Sequence, residues 1–284
     1  MPELPEVEVL VRHLDPLVKG LRIRRVTVRR EKVLRPTTPE QLAAALTGAT
    51  LQGVTRRAKF LLFQLKAKGA KGTFPLVAHL GMTGRIFLQA KKAALPKHAA
   101  VVLDVGANVL VFEDTRYFGR FTLDTASLAE LGPEPLEDPF DTAAFAVALK
   151  RSTQPIKVKL LDQTLIAGVG NIYASESLFR AGISPKRRSD RLKGAEVDAL
   201  VKAIREVLGE AIRFGSTIPL DYAGTGKRDG LFYYGKPVEA PDYYEERLLV
   251  YDRFNQPCVK CTKPIKRFVQ ATRSTYFCPV CQRR

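Results

Sequence analysis

Several features that mark membrane, secreted and disulfide-rich proteins are missing from this sequence. No apolar run reaches the roughly 18 residues of a transmembrane helix, and the N-terminus lacks the basic-then-apolar pattern of a secretory signal. No cysteine precedes Cys258, and no internal repeat is present. These absences argue against a membrane protein, a disulfide scaffold and a repeat array, and we expect a soluble intracellular protein.

Acidic residues are also scarce. The 284 residues include 46 Lys and Arg against 29 Asp and Glu, which gives a formal net charge of +17 and a pI of about 9.9. A chain this basic most often binds nucleic acid. An anionic membrane surface is the second candidate, and generic basicity, as in some thermophilic or ribosome-associated proteins, is the third.

The cysteines form two Cys-x2-Cys pairs near the C-terminus: Cys258, Cys261, Cys278 and Cys281. Two such pairs at this separation are typical of a tetrahedral four-thiolate zinc site, whereas disulfides or unpaired thiols are the alternatives. Four thiolates leave no position for water, so the zinc is expected to be structural. Residues 258–284 contain seven Lys and Arg and no Asp or Glu, which fits a hairpin that faces phosphates.

The start of the chain, Met1-Pro2-Glu3, has a chemical interpretation and a plain one. If Met1 is removed, as the small second side chain permits, Pro2 carries a terminal amine, a group whose reference pKa of about 7.7–8.0 leaves much of it nucleophilic at neutral pH. Its attack on an anomeric carbon gives a cationic iminium that favours elimination, and Glu3 can move protons beside it. The plain interpretation is a helix with Pro5 and Glu6 in its first turn.

The spacing of apolar residues predicts an α+β protein. A helix is expected over 5–18, with an earlier end at Pro16 as the alternative, and a short helix is expected over 39–47 behind Thr38. Six or more short strands between 21 and about 125 indicate a β-sandwich or barrel. Residues 141–214 are mostly helical, and the clearest helix spans 196–214.

A Pro-rich run at 131–136 suggests a boundary between domains. We therefore expect an N-terminal domain over 1–130, a linker over 131–140, a helical domain over 141–247 and a four-cysteine zinc finger over 248–284. Within the helical domain, residues 216–247 are rich in Gly, Pro and Tyr and predict a long loop.

Loop residues are candidates for phosphate and DNA contacts, although each has an ordinary explanation. The Gly-Val-Gly-Asn turn at 168–171 can cradle a phosphate, and Asn171 can contact it or cap the next helix; most such turns only connect helices. Lys59 is either a snorkelling strand-end lysine or a phosphate ligand near the terminal amine. Three loop residues are either edge packing or wedges that replace an extruded base: Met82, Arg116 and Phe118.

These stretches together resemble the bacterial formamidopyrimidine-DNA glycosylases, the Fpg/MutM family, over nearly the whole chain. The resemblance lies at 2–8, 56–59, 79–83, 131–136, 168–177 and in the zinc finger with Arg273. The related endonuclease VIII branch typically begins Pro-Glu-Gly-Pro-Glu and lacks the Met/Arg/Phe set. The formamidopyrimidine branch is therefore favoured by Leu4, Met82, Arg116 and Phe118.

The resemblance implies a bifunctional DNA glycosylase and AP lyase of base excision repair that removes 8-oxoguanine and formamidopyrimidines from duplex DNA. Pro2 would attack C1′ and form a Schiff base, and Glu3 would transfer protons. Lys59 would assist β-elimination, and Arg273 would grip phosphates and serve δ-elimination.

The family's DNA contacts carry over to six further residues. Backbone phosphates would be held by His98, Lys157 and Asn171. The space left in the duplex would be filled by Met82, Arg116 and Phe118, with Arg116 facing the orphaned cytosine. One structural Zn²⁺ is implied at the four cysteines.

The implied fold is an N-terminal catalytic β-sandwich with flanking helices, followed by a helix–two-turn–helix domain with a zinc-finger hairpin. The implied protein is a monomer of the bacterial cytoplasm that associates with the nucleoid and not with membranes. Tyr117 stands where the family commonly has a basic residue, and 216–247 looks longer than the family's lesion-facing loop. The alternatives are a non-catalytic DNA-binding protein on the same scaffold and a glycosylase of altered lesion preference.

Overall fold

The computed structural model describes residues 2–214 and 248–283. They fall into two compact units: the first runs to Ala129, and the second comprises Glu130–Phe214 and the C-terminal segment. The predicted loop at 216–247 lies outside the described residues. Among the helices described, none combines the length and apolar character needed to cross a membrane.

The first unit begins with a long helix, which is followed mainly by short strands. Its elements are α1 (Leu4–Val18), β1 (Arg25–Val28), α2 (Pro39–Leu46), β2 (Thr50–Arg57), β3 (Phe60–Lys66), β4 (Phe74–His79), β5 (Gly84–Ala90), β6 (Ala99–Asp104), β7 (Asn108–Asp114), β8 (Arg120–Thr122) and α3 (Ala126–Ala129).

Two antiparallel four-stranded sheets form the β-layers of this unit. Their strand orders are β1-β6-β7-β5 and β2-β3-β4-β8. Apolar residues from both sheets and from α1 join one buried cluster, which includes Leu10, Phe63, Val111 and Phe121. The predicted sandwich is therefore confirmed, because each sheet has one apolar face to bury and the two share a core.

Helix α1 covers the predicted span of 5–18 and one further residue at its start. It begins at Leu4, behind Glu3 as N-cap, and continues through Pro16 to Val18. The alternative, an earlier end at Pro16, is wrong. Leu14 and Val18 are fully buried on either side of it, and their burial outweighs the hydrogen bond that a proline cannot donate. Leu17, expected on the apolar face, is 45% exposed.

The second unit is helical and ends in a hairpin. Its elements are α4 (Thr142–Lys150), α5 (Ile156–Leu160), α6 (Asn171–Arg180), α7 (Gly194–Phe214), β9 (Lys266–Gln270) and β10 (Arg273–Phe277). The predicted apolar face of α7 is buried, with Leu200 and Leu208 at its centre. The helix that we expected over 196–214 is thus confirmed, and it packs against α6 and α4.

A buried carboxylate attaches the segment at 249–251 to α6. Glu176 is 3% exposed and accepts hydrogen bonds from the backbone N–H groups of Leu249, Val250 and Tyr251 at 2.8, 2.9 and 2.7 Å. Burial is the largest influence on this carboxyl and raises its pKa. Three converging donors on one acceptor fix the path of the chain as it enters the hairpin.

Candidate active site and nucleic-acid interface

The first turn of α1 carries two buried carboxyl groups. Glu3 and Glu6 are each 2% exposed, and Pro2 is half-buried ahead of them. The Glu6 carboxylate accepts a hydrogen bond from the Glu3 backbone N–H at 2.7 Å, which satisfies a donor that the helix itself leaves unpaired. Glu6 therefore fixes the backbone on which Pro2 and Glu3 sit. If Met1 is removed, the Glu3 carboxyl group follows the terminal amine directly, which is the arrangement that proton transfer during attack requires.

Lys59 lies in the two-residue turn between β2 and β3. Ala58 takes the left-handed conformation there, with φ of 51°, and the next residue, Lys59, is only 6% exposed. The alternative, a snorkelling lysine at a strand end, would keep its ammonium in water. The low exposure of Lys59 does not fit that alternative. The positive charge of Lys59 helps to lower the pKa of His79, which pairs with Phe60 across the sheet. A nearly buried cation at the end of a strand suits a role at an anionic substrate.

His79 is a neutral imidazole in this setting. Burial, followed by the charges of Lys59 and Arg120, lowers its pKa from 6.5 to about 4. Its Nδ1 accepts a hydrogen bond from the Gly81 N–H at 3.2 Å, an interaction that protonation would remove. Keeping His79 neutral avoids repulsion of the Lys59 ammonium.

This shift makes the stability of the protein depend on pH. The unfolded chain takes up the His79 proton near pH 6.5, whereas the folded protein does so only near pH 4. The contribution of neutral His79 to the free energy of unfolding is therefore fully present above pH 6.5 and is lost as the pH falls towards 4. Between pH 7 and 5 we expect a loss of about 2 kcal/mol in the free energy of unfolding from this group.

Urea unfolding of the wild type and of His79→Asn at both pH values measures that loss. The amide oxygen of Asn can replace Nδ1 as acceptor but does not titrate. The variant should lose about 2 kcal/mol less than the wild type between the two pH values. Equal losses in both proteins would show that His79 does not carry the effect.

The three predicted wedge residues come together on the surface of the first unit. Arg116 Nη1 lies 3.3 Å from the sulfur of Met82, and the Arg116 guanidinium lies 4.8 Å from the ring centroid of Phe118. Met82 is 43% and Phe118 is 50% exposed. Large apolar side chains held by a cation at this exposure are better suited to enter a base stack than to fill a core. We call Met82, Arg116 and Phe118 the wedge cluster.

Asp114 holds the two wedge loops together, and the sequence analysis did not identify it. This residue is fully buried. Its Oδ1 accepts from the Thr83 hydroxyl at 2.6 Å and from the Arg116 N–H at 3.1 Å, and its Oδ2 accepts from the Gly119 N–H at 2.8 Å. The loops also approach closely at Gly81, since a Cβ there would lie 2.7 Å from the Gly119 nitrogen. Position 114 alone gave no signal, because many strands end in Asp.

His98 precedes β6 and is half-buried. Its Nδ1 lies 3.4 Å from the hydroxyl of Tyr117, the residue before Phe118. The first unit thus brings His98 next to the loop of the wedge cluster. Pro2 and Glu3, by contrast, lie at the N-terminal end of α1, with Glu3 as its N-cap, and Lys59 lies on the β2–β3 turn.

Lys157 and Asn171 bond to each other and to the hairpin in the second unit. Lys157 is 1% exposed, and its ammonium donates to Asn171 Oδ1 at 2.6 Å, Thr275 Oγ1 at 2.7 Å and the Ser274 carbonyl at 3.1 Å. The Asn171 amide also donates to the Ser274 carbonyl at 3.0 Å. The N-cap of α6 is Gly170, so the capping alternative for Asn171 is wrong: its side chain is used across the unit instead.

Arg273 opens β10 and is exposed. The turn before it places Ala271 and Thr272 in the left-handed region, with φ of 47° and 61°. Ser274, its neighbour, is the residue that Lys157 and Asn171 hold. This network therefore holds the backbone next to Arg273, while the Arg273 guanidinium stays available to a phosphate.

The four cysteines match the geometry of a zinc site. Their sulfur atoms all lie within 4.8 Å of one another, with Cys261 and Cys278 at 3.4 Å and Cys258 and Cys281 at 3.9 Å. A tetrahedral zinc with bonds of about 2.3 Å places its ligands about 3.8 Å apart. Burial and the three neighbouring thiols raise the pKa of Cys281 to about 12, and a bound cation would favour its thiolate. The residues fit one structural Zn²⁺.

Three family descriptions match successive parts of the chain. Residues 1–121 match "Formamidopyrimidine-DNA glycosylase N-terminal domain", 131–221 match the H2TH domain of the same glycosylases, and 255–284 match "Zinc finger found in FPG and IleRS".

Individual relatives match over their whole length. The chain is 41% identical to the formamidopyrimidine-DNA glycosylase of Dinoroseobacter shibae, with 100% of both chains covered. It is similar to the Lactococcus lactis Fpg solved with DNA containing N7-benzyl-Fapy-dG, at 33% identity and a TM-score of 0.86, with 100% of both chains covered. The same Fpg solved with abasic-site DNA gives a TM-score of 0.85 at 33% identity, over 99% of this chain and 100% of that one.

Proposed function

The chain belongs to the formamidopyrimidine-DNA glycosylase family and is a DNA glycosylase of base excision repair, and we propose that its nucleophile is the amine of Pro2. The observation that carries this proposal is the start of α1, where Pro2 precedes the buried Glu3 and Glu6. The lesions are oxidised purines, 8-oxoguanine and formamidopyrimidines. The partner is duplex DNA containing such a base.

Binding begins with extrusion of the damaged base. Unstacking costs a few kcal/mol and least for a damaged base, and the wedge cluster offsets part of that cost by occupying the gap. Arg116, the charged member, faces the orphaned cytosine. Backbone phosphates are held by His98, Lys157, Asn171 and Arg273. Lys157 also bonds to Ser274 and Thr275 of the hairpin. Phosphate contacts of this kind supply most of the affinity.

The chemistry then proceeds at C1′ of the damaged nucleoside. The Pro2 nitrogen forms a bond to C1′, the glycosidic bond breaks, and the base leaves with a proton that Glu3 helps to supply. Ring opening gives an iminium. Loss of a C2′ proton expels the 3′ phosphate in β-elimination, which the Lys59 ammonium assists, and δ-elimination expels the 5′ phosphate with Arg273 on the leaving group.

The remaining assignments follow the same organisation. We place catalysis in 1–130, the linker in 131–140, the helix–two-turn–helix domain with its lesion-facing loop in 141–247 and the finger in 248–284. The four cysteines, Cys258, Cys261, Cys278 and Cys281, would hold one Zn²⁺, whose role is to keep the hairpin folded. The protein acts as a monomer on nucleoid DNA in the bacterial cytoplasm.

A duplex with one 8-oxoguanine opposite cytosine tests this function. Under single-turnover conditions the damaged strand should be cut at the lesion and leave phosphate at both new ends, whereas the matched undamaged duplex stays intact. Cleavage of an abasic duplex without attack on 8-oxoguanine would indicate an altered lesion preference. Binding without cleavage of either duplex would identify a non-catalytic scaffold.

A further inference from the structure

Tyr117 holds a basic residue that no motif identified. The Nε of Arg30 donates a hydrogen bond to the Tyr117 hydroxyl at 3.1 Å, and the guanidinium lies 5.6 Å from the centroid of the Tyr117 ring. His98 Nδ1 lies 3.4 Å from the same hydroxyl oxygen. Tyr117 is itself in the left-handed conformation, with φ of 54°.

The three side chains come from the same end of three neighbouring strands in the first sheet. Arg30 follows β1, His98 precedes β6 and Tyr117 follows β7, and these three strands are antiparallel neighbours. The Arg30 N–H donates to the Ala100 carbonyl at 3.2 Å, and the Asp114 N–H donates to the His98 carbonyl at 3.1 Å. Backbone hydrogen bonds therefore fix the positions from which the Arg30 and His98 side chains project.

Arg30 is not neutralised by a carboxylate of the described residues. Several arginines of the chain form ion pairs, as Arg85 does with Glu113 and Arg187 with Glu196. Within the described part of the chain, Arg30 contacts only neutral oxygens: the Tyr117 hydroxyl and, through Nη1 at 3.2 Å, the Arg29 carbonyl. These bonds orient its guanidinium without neutralising the charge, and Nη2 meets no acceptor among the described residues.

The surroundings of this guanidinium favour an anion. Arg30 is exposed, as are its neighbours Arg29, Glu31 and Lys32. Among the described residues, Glu31 forms no ion pair with Arg30, whose polar contacts are the two neutral oxygens above. The Lys32 ammonium lies 5.8 Å from the ring centroid of Phe118, so the basic group is continuous with the wedge cluster. An oriented, uncompensated guanidinium with a spare N–H suits a phosphate oxygen.

We propose that Arg30, held by Tyr117 and beside His98, binds a backbone phosphate of the duplex next to the wedge cluster. This inference rests on the proposed function, which supplies the DNA. It also accounts for Tyr117, which stands where the family commonly has a basic residue: the cation comes from the end of β1, and tyrosine positions it. Arg30 is thus a further DNA-binding residue, and Tyr117 is its positioning residue.

Salt-dependent binding tests the phosphate contact. The probe is a duplex with a tetrahydrofuran abasic analogue, which cannot be cleaved, followed by fluorescence anisotropy between about 50 and 200 mM salt. Arg30→Gln should make the negative slope of log K against log salt shallower by about 0.9. The control is Arg25→Gln, the same change at an exposed arginine of β1 that lies roughly 16 Å back along the chain. An unchanged slope for Arg30→Gln, or an equal fall for Arg25→Gln, would overturn the proposal.

The role of Tyr117 needs a second variant. Tyr117→Phe keeps the ring and removes only the hydroxyl, so it should weaken binding less than Arg30→Gln, and the double variant should bind no more weakly than Arg30→Gln alone. Independent, additive losses would overturn the positioning role.

Covalent trapping separates this inference from the proposed function. At saturating abasic DNA, the wild type and the control Arg25→Gln should both be trapped by borohydride. Failure to trap the wild type would refute the proposed chemistry, whereas normal trapping with an unchanged salt slope would refute only the Arg30 site.

Discussion

A protein that keeps Met1 ahead of its second residue will fail to excise the damaged base. Pro2→Gln achieves this, because methionine is removed only when the second side chain is small. The nitrogen at position 2 then becomes an amide and loses its nucleophilicity, and the remaining terminal amine is displaced by one residue, about 3.8 Å. Misplacement by about 1 Å can already cost about 100-fold. We expect single-turnover release of 8-oxoguanine to fall on the order of 10³-fold or more.

Pro2→Ala is the matched control for this prediction. Alanine is small, so Met1 is removed and an α-amine remains at position 2. It is a primary amine and should retain measurable excision. Intact mass must verify Met1 in each protein, and tetrahydrofuran-duplex binding should be the same in all three. Wild-type rates in the Met1-retaining variant would contradict the assignment of Pro2.

Replacing one zinc ligand will remove most of the affinity for DNA. Cys278 is fully buried and packs with Ile265 and Tyr276 in the small core of the finger. In Cys278→Ser the site loses a thiolate, and the roughly 10–16 kcal/mol that a structural zinc contributes to such a small domain is largely lost. The hairpin that carries Arg273 then unfolds. We expect affinity for damaged and undamaged duplex to fall on the order of 100-fold, with zinc content falling in parallel.

Arg273→Ala separates the loss of one contact from the loss of the hairpin. This residue is exposed, so the variant should keep its zinc. It should weaken binding to damaged and undamaged duplex alike and lower the salt slope by about 0.9. Normal DNA binding by zinc-free Cys278→Ser would contradict the role of the finger. An unchanged salt slope for Arg273→Ala would show that Arg273 does not contact a phosphate.

Local patterns predicted most of the fold. The 3.6-residue spacing located α7, and Thr38 at the start of α2 accepts the Gln41 N–H at 3.2 Å, as a capping residue should. The cysteine spacing identified the zinc site because knuckle geometry is set within a few residues. Pro16 was misjudged because its effect depends on tertiary burial around it, which spacing does not contain.

The candidate site was predictable where single residues carry the chemistry. Pro2 and the members of the wedge cluster stand in recognisable motifs. Asp114 and Arg30 act through partners that are distant in sequence: Asp114 reaches Thr83, and Arg30 reaches Tyr117 across 87 positions. Lys157 is a similar case, since only the structure places its ammonium against Thr275. Such contacts follow from strand order and hairpin docking rather than from local sequence.

Borohydride trapping tests the central claim most directly. The protein is incubated with a duplex carrying 8-oxoguanine opposite cytosine, reduced, digested and mapped by mass spectrometry, after intact mass and zinc analysis have shown that Met1 is absent and zinc is bound. We predict a single covalent adduct, on the nitrogen of Pro2. An adduct on a lysine such as Lys59 instead, or no adduct with either this duplex or an abasic one, would contradict the terminal-amine mechanism.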